Sequence, residues 1–242
     1  MNKLILSEDN FGTFQKIINQ LSTMIMEVQF EMSEEGLNIT AMDGAQVCMA
    51  ILDINKGFFE EGSELCKDSF GLNIIKFNTI LKRFKGEKVF LELGDIVKIE
   101  ANKKKFSMKT IQILGDKKVK PNLEKGAVIK LKSDFLKEVV EDGDSISPND
   151  SGITFSYKDK KLTITMENPH GTEYHCENDE IGVQNEEVVV KASYSKNYLK
   201  KSTIPGEDVL INMKNDYPIT IRYCDGDVWH LDYIIAPRIE NN

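Results

Sequence analysis

The chain has 242 residues, 40% of them hydrophobic, enough for one large or two ordinary domains with a true core. Its formal net charge is −8, which disfavours adhesion to bulk nucleic acid unless the cations gather on one face. Every apolar run falls short of the roughly eighteen residues a membrane-spanning helix needs. Met1–Glu8 turns acidic too early for a secretory signal. Cys48, Cys66, Cys176 and Cys224 lack close-paired spacing, so reduced and mostly buried thiols are expected.

A first amphipathic segment opens at Asn10, a residue able to cap a helix, and sets Phe11, Phe14, Ile17, Ile18 and Leu21 on one face. The period then switches to two. Met26, Val28, Phe30 and Met32 alternate with Glu27, Gln29 and Glu31, then come Leu37, Ile39 and Ala41 and the run Val47 to Leu52. Such alternation predicts antiparallel strands with one buried face. A second helix is expected from Asn73, with Ile74, Phe77, Ile80, Leu81 and Phe84 inward, and a strand with Val89, Leu91 and Leu93 follows. The stretch Gly115 to Asn122 has Gly, Pro and charge but little periodicity, as a surface linker should. A third helix begins at Ser133 with Phe135, Leu136, Val139 and Val140, before strands carrying Ile153, Phe155 and Tyr157, then Leu162, Ile164 and Met166. A fourth helical segment opens at Ser193, near Tyr194 and Tyr198. The series ends with Val209, Ile211 and Met213, then Ile219, Ile221 and Tyr223, then Trp229, Leu231 and Tyr233.

The four helical segments recur roughly every sixty residues, the mark of a repeated unit. Gly36-Leu37-Asn38-Ile39 matches Gly152-Ile153-Thr154-Phe155, and Gly86 to Leu91 matches Gly206 to Ile211. Leu81-Lys82-Arg83 and Leu199-Lys200-Lys201 precede the second pair. The reading is two domains of one α+β fold, 1–114 and 128–242, joined by a linker at 115–127.

Catalytic signatures are lacking. There is no Gly-rich phosphate loop and no Gly-x-Ser-x-Gly elbow. His170 and His175-Cys176 have no second ligand pair nearby and read as exposed strand or loop rather than zinc ligands. Asp142-Gly143-Asp144 and Asp225-Gly226-Asp227 read as turns, because neither continues into a calcium-ligand series. His230 and Asp232 share a strand face but have no nucleophile beside them.

The helices are locally basic while the chain is acidic. Lys16, Lys76, Lys82, Arg83, Lys137, Lys196, Lys200 and Lys201 lie on them. If four equivalent helices line one surface, these cations converge there and bind a phosphate backbone without reading bases. Aromatic residues do not interleave with them as a single-strand platform would require, so the expected target is duplex.

Three stretches carry a family resemblance: His230 to Glu240 at the C-terminus, Gly36 to Asp43 followed by Val47, and Asp216 to Tyr223. With the duplicated layout, they make the chain resemble a DNA sliding clamp of the proliferating cell nuclear antigen (PCNA) type. The resemblance implies the DNA clamp fold: two similar domains, each with antiparallel sheets outside and two helices inside, assembling into a pseudo-six-fold ring. It implies a non-enzymatic polymerase processivity factor without cofactor or metal. The implied partners are itself as a homotrimer, double-stranded DNA without sequence preference, a DNA polymerase, a clamp loader and other proteins with a short hydrophobic and aromatic docking peptide, and no membrane. A viral-type factor that forms no ring, or one subunit of a heterotrimer, is the alternative. The implied location is the nucleus of a eukaryote, the cytoplasm of an archaeon or a viral replication site.

By position in the family, the peptide pocket falls on Met42, Val47, Leu123, Pro218, Ile234, Ile235, Ala236 and Pro237. The subunit interface falls on Lys105, Phe106, Ser107, Met108, Lys109, Thr110 and Ile111 of one domain. Its counterpart is Gly171, Thr172, Glu173, Tyr174, His175, Cys176 and Glu177 of the other. The chain departs from the family in a short basic linker (Lys117, Lys118, Lys120) and in Gln15, Ser22 and Thr79, where helices of the family are often basic.

Overall fold

The structure is a computed structural model that describes residues 2–114, 118–179, 181–184 and 189–239. Gly115, Asp116 and Lys117 of the expected linker, and Glu240 of the C-terminal motif, lie outside the described residues. The chain divides into two units, Met1–Lys120 with Cys224–Leu231, and Pro121–Tyr223 with Asp232–Asn242.

In the first half of the chain the elements run β1 (Asn2–Leu6), α1 (Glu8–Leu21), β2 (Glu27–Ser33), β3 (Gly36–Met42), β4 (Cys48–Asn55), β5 (Asp68–Asn73), α2 (Ile74–Leu81), β6 (Val89–Leu93), β7 (Ile96–Ala101) and β8 (Lys104–Lys109). The second half runs β9 (Ala127–Lys132), α3 (Ser133–Ile146), β10 (Gly152–Lys158), β11 (Lys161–Glu167), β12 (Glu173–Asn178), β13 (Gly182–Gln184), β14 (Val190–Ser195), α4 (Lys196–Ser202), β15 (Asp208–Met213), β16 (Ile219–Asp225) and β17 (Trp229–Ile235). Apart from the short β13 and a 3-10 turn at Lys56–Phe58, the order is the same twice over. The repeat expected from the sequence is therefore a repeat of architecture. In the first unit the strands pair as β1-β6-β7-β8 and as β5-β2-β3-β4; in the second, as β12-β11-β10-β14 and as β13-β9-β15-β16.

The alternating strands bury what the pattern assigned inward: Val28, Phe30 and Met32 on β2, Leu91 on β6, Ile164 on β11 and Ile221 on β16. Met26 is the exception; it precedes β2 and is 65% exposed. On α1 all five expected apolar residues are buried, whereas Ile80 on α2 and Phe135 on α3 are only half-buried.

The helix starts are corrected by the caps. On α1 the Ser7 hydroxyl accepts from the Asn10 N–H at 3.2 Å, so the helix starts before Asn10. Asn73 caps α2 as expected, its side chain accepting from the Lys76 N–H at 2.9 Å. Ser133 is the first residue of α3 and does not cap it; its hydroxyl donates to the Ile204 carbonyl at 2.7 Å and accepts from the Glu207 N–H at 3.1 Å. The fourth helix is capped by Ser195, because Ser193 still belongs to β14. Asp142-Gly143-Asp144 is the last stretch of α3 rather than a turn, while Asp225-Gly226-Asp227 does turn, with Gly226 at φ 52°.

One internal alignment fails. Gly36–Met42 is the second strand after its helix and Gly152–Lys158 the first, so these stretches are not equivalent. The Gly86 and Gly206 match holds: both precede equivalent strands, at φ 57° and 77°. The linker expected at 115–127 gives way to strand by Ala127.

Gly36 begins β3 at φ 146°, and a Cβ there would lie 2.0 Å from the Ile54 carbonyl oxygen. Both the backbone and that neighbour forbid a side chain. Gly36→Ala is expected to cost about 2 kcal/mol or more, read as a lower midpoint in urea unfolding.

Candidate nucleic-acid face, docking wall and sheet edges

The first helix pair is held by its apolar faces. Phe11 meets Phe84 and Phe14 meets Phe77 edge-on, with ring centroids 6.4 and 6.3 Å apart. The buried Asn78 amide donates to Asn19 Oδ1 at 3.0 Å and to Ser22 Oγ at 2.8 Å, so α2 is pinned to the end of α1. Gln15, which stands where the family is often basic, donates to the Leu81 carbonyl at 2.7 Å and satisfies an otherwise orphaned helix end. With these faces turned inward, Lys16, Lys76, Lys82 and Arg83 are all exposed.

The second pair is built differently. Lys196, expected among the exposed cations, is fully buried. Its ammonium lies 2.9 Å from Asp144 Oδ1 and donates to the Gly143 carbonyl at 3.2 Å and to the Ser147 carbonyl. It is an internal tie from α4 to the end of α3, with a carboxylate and carbonyls replacing its hydration shell. Lys196 therefore leaves the set of DNA-facing residues. Lys200 is exposed but shares Asp144 at 2.7 Å, and Lys137 lies 3.7 Å from Glu141. The ammonium groups of Lys200 and Lys196 hold the Asp144 carboxyl below its ordinary range. The expectation that the helices are locally basic does not hold for α3, which sets Asp134, Glu138, Glu141, Asp142 and Asp144 against Lys137.

The expected docking residues fall in both units. In the first, Met42 and Val47 are half-buried at either end of a loop organised by Asp43. Its carboxylate accepts from the N–H groups of Ala45 (3.0 Å), Val47 (2.8 Å) and Cys48 (2.7 Å). Burial and the Asp43 charge push the Cys48 thiol up to about 12. Met42 also lines a groove of about 410 Å³ with Ala41, Ile113 and Leu114. Ile113 and Leu114 were missed from the sequence because they follow the last strand outside any periodic pattern.

In the second unit Leu123 sits on an anchored stretch. The Glu124 N–H donates to the Tyr217 hydroxyl at 3.3 Å, Glu124 pairs with Lys214, and the Gly126 N–H donates to Asn212 at 2.9 Å. Leu123, Pro218, Ala236 and Pro237 are half-buried. Ile234 is 7% exposed, and Ile235 at 0% belongs to the core rather than to any wall. A separate cavity of about 540 Å³ is lined by Ala192, Ser193, Asp216, Pro237 and Arg238, and only Pro237 of these was expected.

The expected interface segments centre on β8 and β12, the end strands of their sheets. Four flanking residues are not strand. Thr110 donates to the Asp95 carbonyl and Ile111 to the Gly71 carbonyl, while Gly171 and Thr172 form the turn into β12. His175 Nε2 lies 3.4 Å from Glu177 Oε1.

His230 and Asp232 do not act together. His230 Nε2 lies 2.7 Å from Asp53 Oδ2, and this contact chiefly lowers the Asp53 carboxyl's pKa. Asp232 is buried under a two-pronged bond from Arg222, at 2.5 and 2.6 Å. Cys48 is buried, but Cys66 and Cys224 are exposed, against the expectation of mostly buried thiols.

Residues 7–113 match the family described as proliferating cell nuclear antigen, N-terminal domain. A DNA polymerase sliding clamp 1 from Pyrobaculum aerophilum is 27% identical over 252 residues, spanning 99% of this chain and 100% of that protein. The crystal structure of PCNA from Thermococcus kodakaraensis superposes with a TM-score of 0.89 at 18% identity, covering 98% of this chain and 100% of that one. PCNA from A. fulgidus, solved with the C-terminal region of FEN-1 bound, superposes at 0.86 with 21% identity and covers 100% of both chains.

Two outcomes follow from the buried tie and the buried thiol. Asp144→Asn leaves the Lys196 ammonium with carbonyl partners only. It is expected to cost about 1–2 kcal/mol at neutral pH, less than for a fully enclosed pair because Asp144 is partly exposed. The folded-state value of Asp144 lies below its unfolded one. The difference between variant and parent is therefore full above about pH 4 and disappears as pH falls through the lowered value; urea melts from pH 3 to 7 read it. Maleimide at pH 8 should label Cys66 and Cys224 on the folded chain, and Cys48 only after denaturation.

Proposed function

We propose that this chain is a sliding clamp of the proliferating cell nuclear antigen family, a DNA polymerase processivity factor that encircles duplex DNA as a ring of three copies; its similarity to that family's N-terminal domain over residues 7–113, and to an archaeal sliding clamp over nearly its whole length, supports the reading. The duplicated unit carries this reading, since each half presents a helix pair whose apolar faces are buried and whose exposed residues include lysines. In the ring the helices line the hole and the sheets form the outside. Lys16, Lys76, Lys82, Arg83, Lys137, Lys200 and Lys201 face the duplex. They touch phosphates without reading bases, so the grip is weak, salt-dependent and free to slide. Retention is topological: a closed ring cannot leave sideways. The net charge of −8 then keeps the outside from competing for DNA.

The second activity is tethering. By position in the family, Met42 and Val47 of the first unit, and Leu123, Pro218, Ile234, Ala236 and Pro237 of the second, are the residues expected to meet the aliphatic and aromatic plug of a partner's docking peptide. A polymerase, a clamp loader and other replication and repair proteins that carry a docking peptide are the partners in view. The chain itself carries out no chemistry.

Light scattering across a dilution series tests the ring. Three chains of 27.5 kDa give ~82 kDa, as closed cyclic symmetry requires. A persistent single-chain or two-chain mass would instead favour a factor that forms no ring or that lacks a partner subunit. The DNA face is tested by the triple reversal Lys82→Glu, Arg83→Glu, Lys201→Glu. It is expected to keep the assembled mass, to lower the salt slope of DNA binding by about one per residue, and to shorten the product of a polymerase run. Unchanged product length would remove these residues from the face.

A further inference from the structure

We propose that Asp150 is a positioning residue for partner docking: through Arg238 it holds the C-terminal part of the apolar wall, Ala236 and Pro237, in place. The inference rests on the docking reading above and adds what fixes the course of that segment.

β17 ends at Ile235, so Ala236 and Pro237 stand beyond the ladder that fixes the strand. Pro237 has no N–H with which to bond a neighbour. The next residue supplies the anchor. The Arg238 N–H donates to the Ser193 carbonyl on β14 at 2.7 Å, and the Arg238 Nη1 donates to Asp150 Oδ2 at 3.2 Å. Ile239, just after it, is 86% exposed. The two wall residues therefore bridge from the last strand residue to one arginine held twice. Pro237 and Arg238 also line the cavity of about 540 Å³, so the same anchor sets part of its shape.

Asp150 is built as a fixed post. It lies in the loop between α3 and β10, and that loop is tied to the start of α4. The Lys196 N–H donates to the Ser151 carbonyl at 3.0 Å, and the Lys196 ammonium donates to the Ser147 carbonyl. The Asp150 carboxylate itself accepts from the Ser195 hydroxyl at 2.9 and 3.0 Å and from the Asn197 N–H at 3.0 Å. These bonds orient the carboxylate independently of Arg238. The pair is partly exposed, 36% at Asp150 and 44% at Arg238, so its worth to global stability is small. Its effect is directional instead: it selects one course for a segment that has left its ladder.

The two duties of Asp150 separate chemically. Holding α4 needs an acceptor oxygen for Ser195 and Asn197. Holding Arg238 needs the negative charge and the second oxygen. Asp150→Asn keeps the first and loses the second, because its amide group is a donor and faces a guanidinium that only donates.

The test uses the full chain, Asp150→Asn, Arg238→Ala and the double variant, each checked for folding by circular dichroism. The probe is a fluorescent peptide of the FEN-1 C-terminal region, the segment bound in the A. fulgidus PCNA structure, with affinity read by anisotropy. Asp150→Asn is expected to bind about three- to fivefold more weakly than the parent at low salt, the range of a partly exposed ion pair. That difference should shrink at about 0.5 M salt, where charges are screened. In the Arg238→Ala background, adding Asp150→Asn should change nothing. Equal or tighter binding by Asp150→Asn, or the same loss with and without Arg238, would overturn the proposal; the second result would mean that Asp150 acts only through α4. A parent chain that fails to bind the peptide would overturn the docking reading and this inference together.

Discussion

A β-sheet of finite width ends in two rows of peptide groups with no partner, and those rows must be covered, blunted or paired. This chain covers two of them with its own backbone, at β1 and β14. Among the described residues no backbone covers β8 or β12, and the exposed face of each carries charge of a single sign at alternate positions, with Lys105 and Lys109 on one and Glu173 and Glu177 on the other. The alternation is possible because a strand presents every second side chain to the same face. The inward set can then serve the core while the outward set carries information. Phe106 and Glu177 illustrate the two roles: one fills space beside Phe84, the other stands in solvent beside Lys161.

Behind the sheets, the same architecture is stabilised twice by unlike chemistry. The first helix pair is joined by aromatic edges and by one buried amide, Asn78, between Asn19 and Ser22. The second uses a buried ammonium, Lys196, satisfied by Asp144 and by two carbonyls at the end of α3. Gly143 makes that approach feasible: a Cβ there would lie 3.0 Å from the Lys196 side chain. Duplicated folds tolerate such divergence because what must be conserved is the filled volume and the satisfied polar groups, not the residue types that achieve them.

Much of this was legible in the chain itself. Alternation located strands such as β2, β6, β11 and β16, because one face of each meets the core and the other meets water. The helical stripe of α1 was readable for the same reason. What escaped notice has physical causes. β1, β7 and β9 carry apolar residues on their less buried faces too (Ile5, Ile96 and Val128), which blurs the period of two, and β5 buries three residues in a row. The match of Gly36 with Gly152 failed because a glycine before an apolar residue is a signal of strand entry, common to non-equivalent strands. Lys196 was misplaced because composition cannot tell a lysine that faces water from one that replaces water with carbonyls. The apolar wall was placed through the family's motifs, and its neighbours Ile113 and Leu114 carry no periodic signal at all.

The carboxylates of α3 have a consequence for motion along DNA. In a ring of three such chains, the exposed cations on and just after α1 and α2 (Lys16, Lys76, Lys82 and Arg83) would stand against the helix acids Glu8 and Asp9, while Lys137, Lys200 and Lys201 of α3 and α4 would stand against the five acids of α3. The field inside the hole then repeats once per subunit, three times per turn, although the backbone repeats six times. A duplex in that field would have three equivalent places to rest, one per subunit. It would travel tilted and precessing, handed from one subunit's first domain to the next, rather than centred like an axle.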